Sequence, residues 1–168
     1  ETSGLKQWQK PLLTLFAAVP LMVVKAGTSV MLIPFLGRID IGLIYPLIFV
    51  PLGIVGASNM VNMLAGFNGS ETGMGIVYLG MLGLYAYTNE RYSAAAIAGI
   101  TVLALLAFYY YNKVPAKILG GDSLTYLLGG VLVTVAVLGN IERAALIVSI
   151  PFFIEFILKL KGKFKKKS

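Results

Sequence analysis

The sequence contains no cysteine and no histidine, and only 12% of its 168 residues are charged. The lack of cysteine excludes disulfide frameworks and thiolate metal sites, and the lack of histidine excludes imidazole general bases and histidine-ligated metals within these residues. Charged residues usually make up about one quarter of a soluble domain. Because 58% of this chain is hydrophobic and its mean hydropathy is +0.85, we expect lipid to surround most of it.

Apolar runs of nearly bilayer length predict an all-α, polytopic membrane protein. A spanning helix satisfies its backbone amides within its own segment, and about 20 residues cross the hydrocarbon layer. The segment 28–36 is apolar but too short to span, so we expect a loop there that lies on the membrane surface. The sequence predicts about six spans in one transmembrane domain, at residues 11–24, 41–58, 72–87, 92–110, 123–138 and 144–158.

The distribution of basic residues predicts the orientation of these spans. Six crossings place both chain ends on one side, which then holds ten of the 14 lysines and arginines, six of them in a tail at residues 159–168. The positive-inside rule assigns this side, with the polar loops 59–71 and 111–122, to the cytoplasm. A basic tail after an apolar run is typical of an anchor to anionic headgroups. The net charge of +7 therefore indicates membrane lipid as a partner, and not nucleic acid.

The first polar loop, residues 59–71, carries three asparagines and a carboxylate after an apolar run. Asn59 and Asn62 are three residues apart and would share one face of a helix. Gly66 and Gly69 allow close backbone approaches that a side chain would prevent. One interpretation is a helix end capped by amides with a glycine turn. The other is a polar binding site, since three carboxamides are more than a cap needs.

The second polar loop, residues 111–122, ends in Asp122, which also has two interpretations. Asp122 directly precedes an apolar run, where it could be the N-cap of a helix. It could instead be a hard oxygen ligand for Mg²⁺, which typically takes one or two protein oxygens together with water and substrate phosphates. Asn62 would then supply an oxygen from the first loop. The glycines Gly120 and Gly121 could also admit a phosphate to the free amides of a helix N-terminus.

Together the two loops resemble the polyprenyl-phosphate N-acetylhexosamine-1-phosphate transferases. The pattern N-x-x-N-x-L-A-G-x-N-G-x-E-x-G occupies residues 59–73, and P-x-x-x-x-x-G-D-[ST] occupies residues 115–123. The continuation Ser-Leu-Thr-Tyr from Ser123 to Tyr126 resembles the archaeal and eukaryotic branch, which uses UDP-GlcNAc and dolichyl phosphate. The resemblance covers most of the chain, which would be the C-terminal part of a family fold of about ten spanning helices.

The resemblance implies roles in metal binding and catalysis. Asn62 and Asp122 would be ligands of Mg²⁺, for which Mn²⁺ could substitute. Lys10, at the start of a helix, would contact the donor pyrophosphate and would be catalytic together with Asp122. Glu1 would lie at or beside the second member of the acidic pair that the family carries before this helix.

The resemblance also implies a nucleotide site. Gly66 would lie against the face of the uracil ring, and Asn68 would bind its polar edge. Leu119 stands where enzymes of the dolichol branch can place an aromatic ring over the uracil, so stacking would be weaker here. Asn59 and Glu71 are further candidate site residues within the same pattern.

The implied reaction transfers GlcNAc-1-phosphate, or a related N-acetylhexosamine-1-phosphate, from a UDP-sugar to a polyprenyl or dolichyl phosphate. It releases UMP and is the first step of lipid-linked oligosaccharide synthesis. A phosphate anion is the nucleophile, so the lack of histidine is no obstacle. The resemblance leaves open which sugar and which polyprenol length are used.

The chain is expected to be a fragment, since the acidic pair and several family helices have no counterpart in it. Missing N-terminal helices or a companion chain would complete the enzyme. The protein could also form a homodimer. Whether these residues alone are active stays open. The alternative function is a non-catalytic membrane module, such as a transporter half or an assembly scaffold. Polar residues within the spans would favour transport. They are few, and the polar groups cluster at one interface, which favours an enzyme.

Overall fold

The computed structural model describes residues 9–25, 30–33, 37–64 and 69–161. These ranges are almost entirely helical, which confirms the predicted all-α class. The helices are α1 (Gln9–Ala17), α2 (Val19–Val24), α3 (Val50–Leu64), α4 (Ser70–Thr88), α5 (Tyr92–Asn112), α6 (Gly121–Gly139), α7 (Glu142–Val148) and α8 (Ile150–Lys161), with a π-helical turn at Tyr45–Phe49 before α3 and two strands, β1 (Val30–Ile33) and β2 (Gly37–Asp40).

Prolines divide three of the apolar segments. Proline has no backbone N–H and cannot continue the hydrogen-bond pattern of a helix interior, but it is tolerated in a first turn. Pro20 lies in the first turn of α2 after the break from α1, and Pro151 lies in the first turn of α8 after the break from α7. Pro51 follows the π-helical turn Tyr45–Phe49. Segments predicted as single spans are therefore built from two helical pieces.

Among the described residues, three helices are long and apolar enough to cross a membrane. They are Tyr45–Met63, Tyr92–Asn112 and Gly121–Gly139, and Leu12–Val24 is a shorter apolar helix. The helix α4 and the pair α7–α8 coincide with the other two predicted spans. The number of six crossings stays a prediction.

The segment 28–36 differs from the surface loop that its length predicts. Its described residues form β1, which pairs antiparallel with β2, with Val30 opposite Asp40 and Ile33 opposite Gly37. The carboxylate of Asp40 accepts a hydrogen bond from the backbone N–H of Gly42 at 3.0 Å, which turns the chain away from the hairpin. Pairing between two strands depends on a second segment, so the apolar run alone did not reveal it.

Helices α3 and α6 run antiparallel and pack along most of their length. Asn62 near the end of α3 contacts Thr125 near the start of α6. At the other end of the pair, Tyr45 before α3 contacts Glu142 after α6. The C-terminus of α3 and the N-terminus of α6 therefore lie at the same end of the bundle.

Helices α4 and α5 also pack as an antiparallel pair. Thr72 at the start of α4 bonds to Asn112 at the end of α5, and a Cβ on Gly69 would lie 3.2 Å from the Cα of Lys113. The apolar core of the bundle includes the buried residues Leu79 and Leu128. The end that carries Asn59, Asn62, Asn112, Thr125 and Asp122 is called the polar end below.

Candidate active site at the polar end of the bundle

The two polar loops are shorter than predicted because the helices reach further into them. The helix α3 continues to Leu64 and α4 begins at Ser70, so Asn59 and Asn62 are helical and not in a loop. They do share one face of α3, as their spacing predicts, since both bond to α6. Likewise, α5 extends to Asn112, which leaves residues 113–120 as the second connection.

Gly129 brings α6 into direct backbone contact with α3. A Cβ at Gly129 would lie 2.4 Å from both the Cα and the backbone N of Ser58. Any side chain there would overlap the α3 backbone, so only glycine permits this approach. Small residues at such crossings are a common means of close helix packing in membranes. The crossing lies about one helical turn from the polar residues, and it sets their distance.

A network of hydrogen bonds joins Asn59 to α6 beside this crossing. The Oγ of Ser58 donates to the main-chain carbonyl of Tyr126 at 3.2 Å. The hydroxyl of Tyr126 donates to Oδ1 of Asn59 at 3.2 Å, and Nδ2 of Asn59 donates to the carbonyl of Val55 at 2.7 Å. Both ends of the Asn59 amide are therefore engaged, which favours a structural role for this candidate.

Asn62 and Asp122 are connected through Thr125. The Oγ1 of Thr125 lies 2.9 Å from Oδ1 of Asn62 and 2.9 Å from the main-chain carbonyl oxygen of Asp122. Thr125 is fully buried. The two residues proposed as metal ligands, which lie on separate helices, thus contact the same threonine, Asn62 by its side chain and Asp122 by its main chain. Thr125 was not identified from the sequence, although it stands three residues after Asp122 and so on the same side of a helix.

Asp122 is not the N-cap of α6, so this interpretation is wrong. The N-cap is Gly120, without a side-chain cap hydrogen bond, and α6 begins at Gly121. Asp122 lies in the first turn, where a carboxylate interacts favourably with the free amides and the positive end of the helix dipole. Asp122 is an exposed residue of this first turn.

Asn112 fixes the second connection, a role that the sequence did not reveal. Its side chain is 1% exposed. Its Oδ1 accepts from the hydroxyl of Thr72 at 2.7 Å, and its Nδ2 donates to the carbonyl of Ile118 at 2.9 Å. One buried amide therefore ties α4, α5 and the segment that leads to Asp122. Leu119 in this segment is 69% exposed.

The other candidates are only partly described. Lys10 is the second residue of α1, which packs against α3, but its side chain is outside the described part of the structure. Glu71 lies in the first turn of α4. Glu1, Gly66 and Asn68 lie outside the described residues. The roles that the family resemblance implies for these residues stay predictions.

An apolar cavity of about 320 Å³ lies between α3, α6, α7 and α8. Ligand cavities commonly have volumes of about 300–1,000 Å³. Next to the polar end, the cavity is lined by Met60 and Val61, which directly precede Asn62 in sequence. The rest of the lining is mostly apolar and includes Leu132 and Phe153. The arrangement can hold an apolar chain beside a polar headgroup site.

A buried carboxylate closes the far end of the cavity. The hydroxyl of Tyr45 donates to Oε1 of Glu142 at 2.5 Å, and Glu142 is 6% exposed. Burial lowers the pKa of the nearby Lys25 below its ordinary value. The negative charge of Glu142 raises this pKa in part, and the positive charge of Arg91 lowers it further. These groups belong to the end of the bundle opposite the polar end, so they are separate from the candidate site.

Comparison with known proteins gives a consistent result. The family model described as glycosyl transferase family 4 matches residues 2–140. A proposed UDP-N-acetylglucosamine–dolichyl-phosphate N-acetylglucosaminephosphotransferase of Saccharolobus solfataricus is 40% identical over 164 residues, which are 96% of this chain and 51% of that protein. A protein of the same description from Sulfolobus acidocaldarius is 32% identical over 96% of this chain and 50% of its own length.

A bacterial relative shares the same region. The phospho-N-acetylmuramoyl-pentapeptide-transferase of Lactiplantibacillus plantarum is 35% identical over 158 residues, which are 92% of this chain and 49% of that protein. The chain thus spans about half the length of the curated relatives it matches.

Proposed function

Since this chain belongs to glycosyl transferase family 4, we propose that the complete protein transfers GlcNAc-1-phosphate, or a related N-acetylhexosamine-1-phosphate, from a UDP-sugar to a polyprenyl or dolichyl phosphate. The archaeal and bacterial relatives carry names of this reaction type. The observation that carries the proposal is the connection of Asn62 and Asp122 through Thr125 at the polar end. Two residues whose side chains carry oxygen thereby contact one threonine at the polar end, where a diphosphate could bind.

The donor set at the polar end suits Mg²⁺ or Mn²⁺. Asn62 offers an amide oxygen and Asp122 a carboxylate, and hard cations prefer such ligands in small numbers when phosphates and water supply the others. When bound, the ion neutralises charge on the donor diphosphate. Within this chain, Asn62 and Asp122 would hold it, and Lys10 would bind the pyrophosphate. Gly66 and Asn68 would hold the uracil, with Leu119 beside it.

The proposed reaction needs positioning more than proton transfer. An oxygen of the lipid phosphate attacks the β-phosphorus of the UDP-sugar, and the bond from this phosphorus to the bridging oxygen breaks. The bridging oxygen leaves with UMP, and the sugar stays on the β-phosphate. Because the nucleophile is already an anion, no side-chain base is required, and phosphoryl transfer is promoted mainly by alignment and charge neutralisation.

The apolar cavity supports a lipid acceptor. Its lining by Met60 and Val61, directly beside Asn62, would place a polyprenyl chain in the cavity while its phosphate reaches the polar end. We further propose that the polar end faces the cytoplasm. The basic residues of the tail at 159–168 and the positive-inside rule support this orientation.

The test uses the complete purified protein in liposomes that contain dolichyl phosphate. UDP-GlcNAc labelled with ³²P at the β-phosphate is supplied with Mg²⁺, and lipid and nucleotide products are separated. The proposal predicts ³²P in the lipid fraction and an equal amount of UMP. Labelled UDP with unlabelled lipid would instead show transfer of the sugar alone. A matched reaction with UDP-MurNAc-pentapeptide and undecaprenyl phosphate checks the chemistry of the bacterial relatives, and no UMP from either pair would refute the proposal.

A further inference from the structure

The hydroxyl of Thr125 has more acceptors than it can serve. It lies 2.9 Å from Oδ1 of Asn62 and 2.9 Å from the carbonyl oxygen of Asp122. A hydroxyl carries one proton, and the two oxygens opposite it have none. With the amide in this orientation, the single proton of the buried Thr125 hydroxyl has to be shared between the two oxygens, or one of the two contacts has no proton. Two oxygen atoms 2.9 Å apart repel each other when no proton lies between them.

Rotation of the Asn62 amide by 180° removes the mismatch. The oxygen and nitrogen of an asparagine side chain are assigned from their hydrogen-bond partners. If Nδ2 faces Thr125, it donates to Oγ1, and the threonine proton is free for the carbonyl of Asp122. The second bond is the usual one for threonine within a helix, whose hydroxyl bonds to a carbonyl three or four residues earlier. Each of the three groups then has a matched partner.

From this proton count we infer that Thr125 is the positioning residue of the site and orients the Asn62 amide so that its oxygen is turned away from the Thr125 hydroxyl and available to a divalent cation. The inference rests on the proposed metal site of Asn62 and Asp122. Thr125 itself does not ligate. It acts through both proposed ligands, because it binds the side chain of one and the backbone of the other.

The alternative role for Thr125 is helix packing alone, and the chain offers a matched control for it. Thr134 lies on the same helix and donates to the carbonyl of Gly130 at 2.8 Å, but it has no described contact with Asn62 or Asp122. Replacing either threonine by valine removes a hydroxyl with little change of shape. Only the change at Thr125 should affect the orientation of Asn62.

The test measures Mn²⁺ binding to the complete protein by electron paramagnetic resonance of the free ion, without substrates. Loss of partners that orient metal ligands typically weakens metal affinity by about 10–100-fold. Thr125→Val should therefore bind Mn²⁺ about tenfold more weakly, within that range. Thr125→Ser, which keeps the hydroxyl, should restore most of the affinity, and Thr134→Val should bind like the wild type. Thermal unfolding of each variant checks that it is folded.

The outcomes separate this inference from the proposed function. If Asp122→Asn binds Mn²⁺ as the wild type does, the proposed metal site is wrong. If Asp122→Asn loses affinity but folded Thr125→Val does not, only the positioning role of Thr125 is overturned. Should Thr125→Val fail to fold, Thr125→Ala, which adds no atoms, takes its place against Thr125→Ser under the same expectation. Equal affinity of Thr125→Ala and Thr125→Ser would overturn the inference.

Discussion

Replacement of Gly129 by alanine should separate α3 from α6 and thereby disconnect the candidate site. The added Cβ would lie 2.4 Å from the Cα and N of Ser58 and 2.6 Å from the carbonyl carbon of Ala57. Carbon atoms pack favourably at about 3.5–4.0 Å. Because the atoms in the way belong to the α3 backbone and not to a flexible side chain, the helices must move apart by roughly 1 Å or more.

This movement should cost both stability and activity. Overpacking of a tight interior typically destabilises a protein by about 1–3 kcal/mol. Displacement of reacting groups by about 1 Å can lower turnover by about 100-fold, and Asn62 lies one turn from Ser58 on the same helix. We therefore expect Gly129→Ala to lower the unfolding temperature and to reduce UMP release by about 100-fold at saturating substrates.

Gly130→Ala is the matched control. A Cβ at Gly130 meets no atom within 4 Å, and alanine is more favourable than glycine in a helix by about 1 kcal/mol. This variant should keep wild-type turnover and be equally or more stable. Both variants are assayed as complete proteins in liposomes for UMP release and thermal unfolding. Equal turnover of Gly129→Ala and Gly130→Ala would refute the argument that the α3–α6 contact sets the geometry of the site.

Three other predictions follow from the remaining contacts and from the proposed nucleotide site. Asn112→Leu leaves the buried Thr72 hydroxyl and a carbonyl without their partner, so thermal unfolding should show a loss of about 1–3 kcal/mol. Asn68→Ala should raise the KM for UDP-GlcNAc by an amount equivalent to about 1–3 kcal/mol without changing Mn²⁺ affinity, whereas an unchanged KM would assign Asn68 to a turn. In a cysteine-free version of the complete protein, a membrane-impermeant thiol reagent applied to intact cells should label Asn89→Cys and spare Leu119→Cys, and the reverse pattern would contradict the cytoplasmic orientation.

Local sequence patterns predicted the parts of the molecule that depend on local physics. Long apolar runs indicated helices in lipid, and the all-α class is confirmed. The three-residue spacing of Asn59 and Asn62 predicted a shared helix face, which follows from helix geometry alone. The motifs around these residues and Asp122 indicated the family, and the family match over residues 2–140 confirms it.

The features that were missed depend on contacts between distant segments. The burial of Asn112 requires Thr72, which is 40 residues away, and nothing in the local sequence marks it as an anchor. The need for glycine at position 129 arises only when α3 lies against it. The hairpin β1–β2 likewise depends on pairing between two strands. The start of α6 was also not fixed by the local sequence. Residue preferences at helix N-caps favour Asp122, whereas the N-cap in the structure is Gly120.

The role of Asp122 as a ligand is tested most directly by one substitution, Asp122→Asn in the complete protein. Asparagine keeps the size of the side chain and one oxygen but removes the charge. Since Asp122 is not the N-cap of α6, the variant should fold, and the lost interaction with the helix dipole should cost at most about 1 kcal/mol. The measurement is UMP release from UDP-GlcNAc and dolichyl phosphate as a function of Mg²⁺ and then Mn²⁺ concentration. We predict near-normal thermal unfolding, a loss of turnover of about 100-fold or more, and a higher Mg²⁺ requirement, because an anionic ligand of the cation is lost. Wild-type turnover with an unshifted Mg²⁺ requirement would contradict the assignment of the metal site to Asn62 and Asp122.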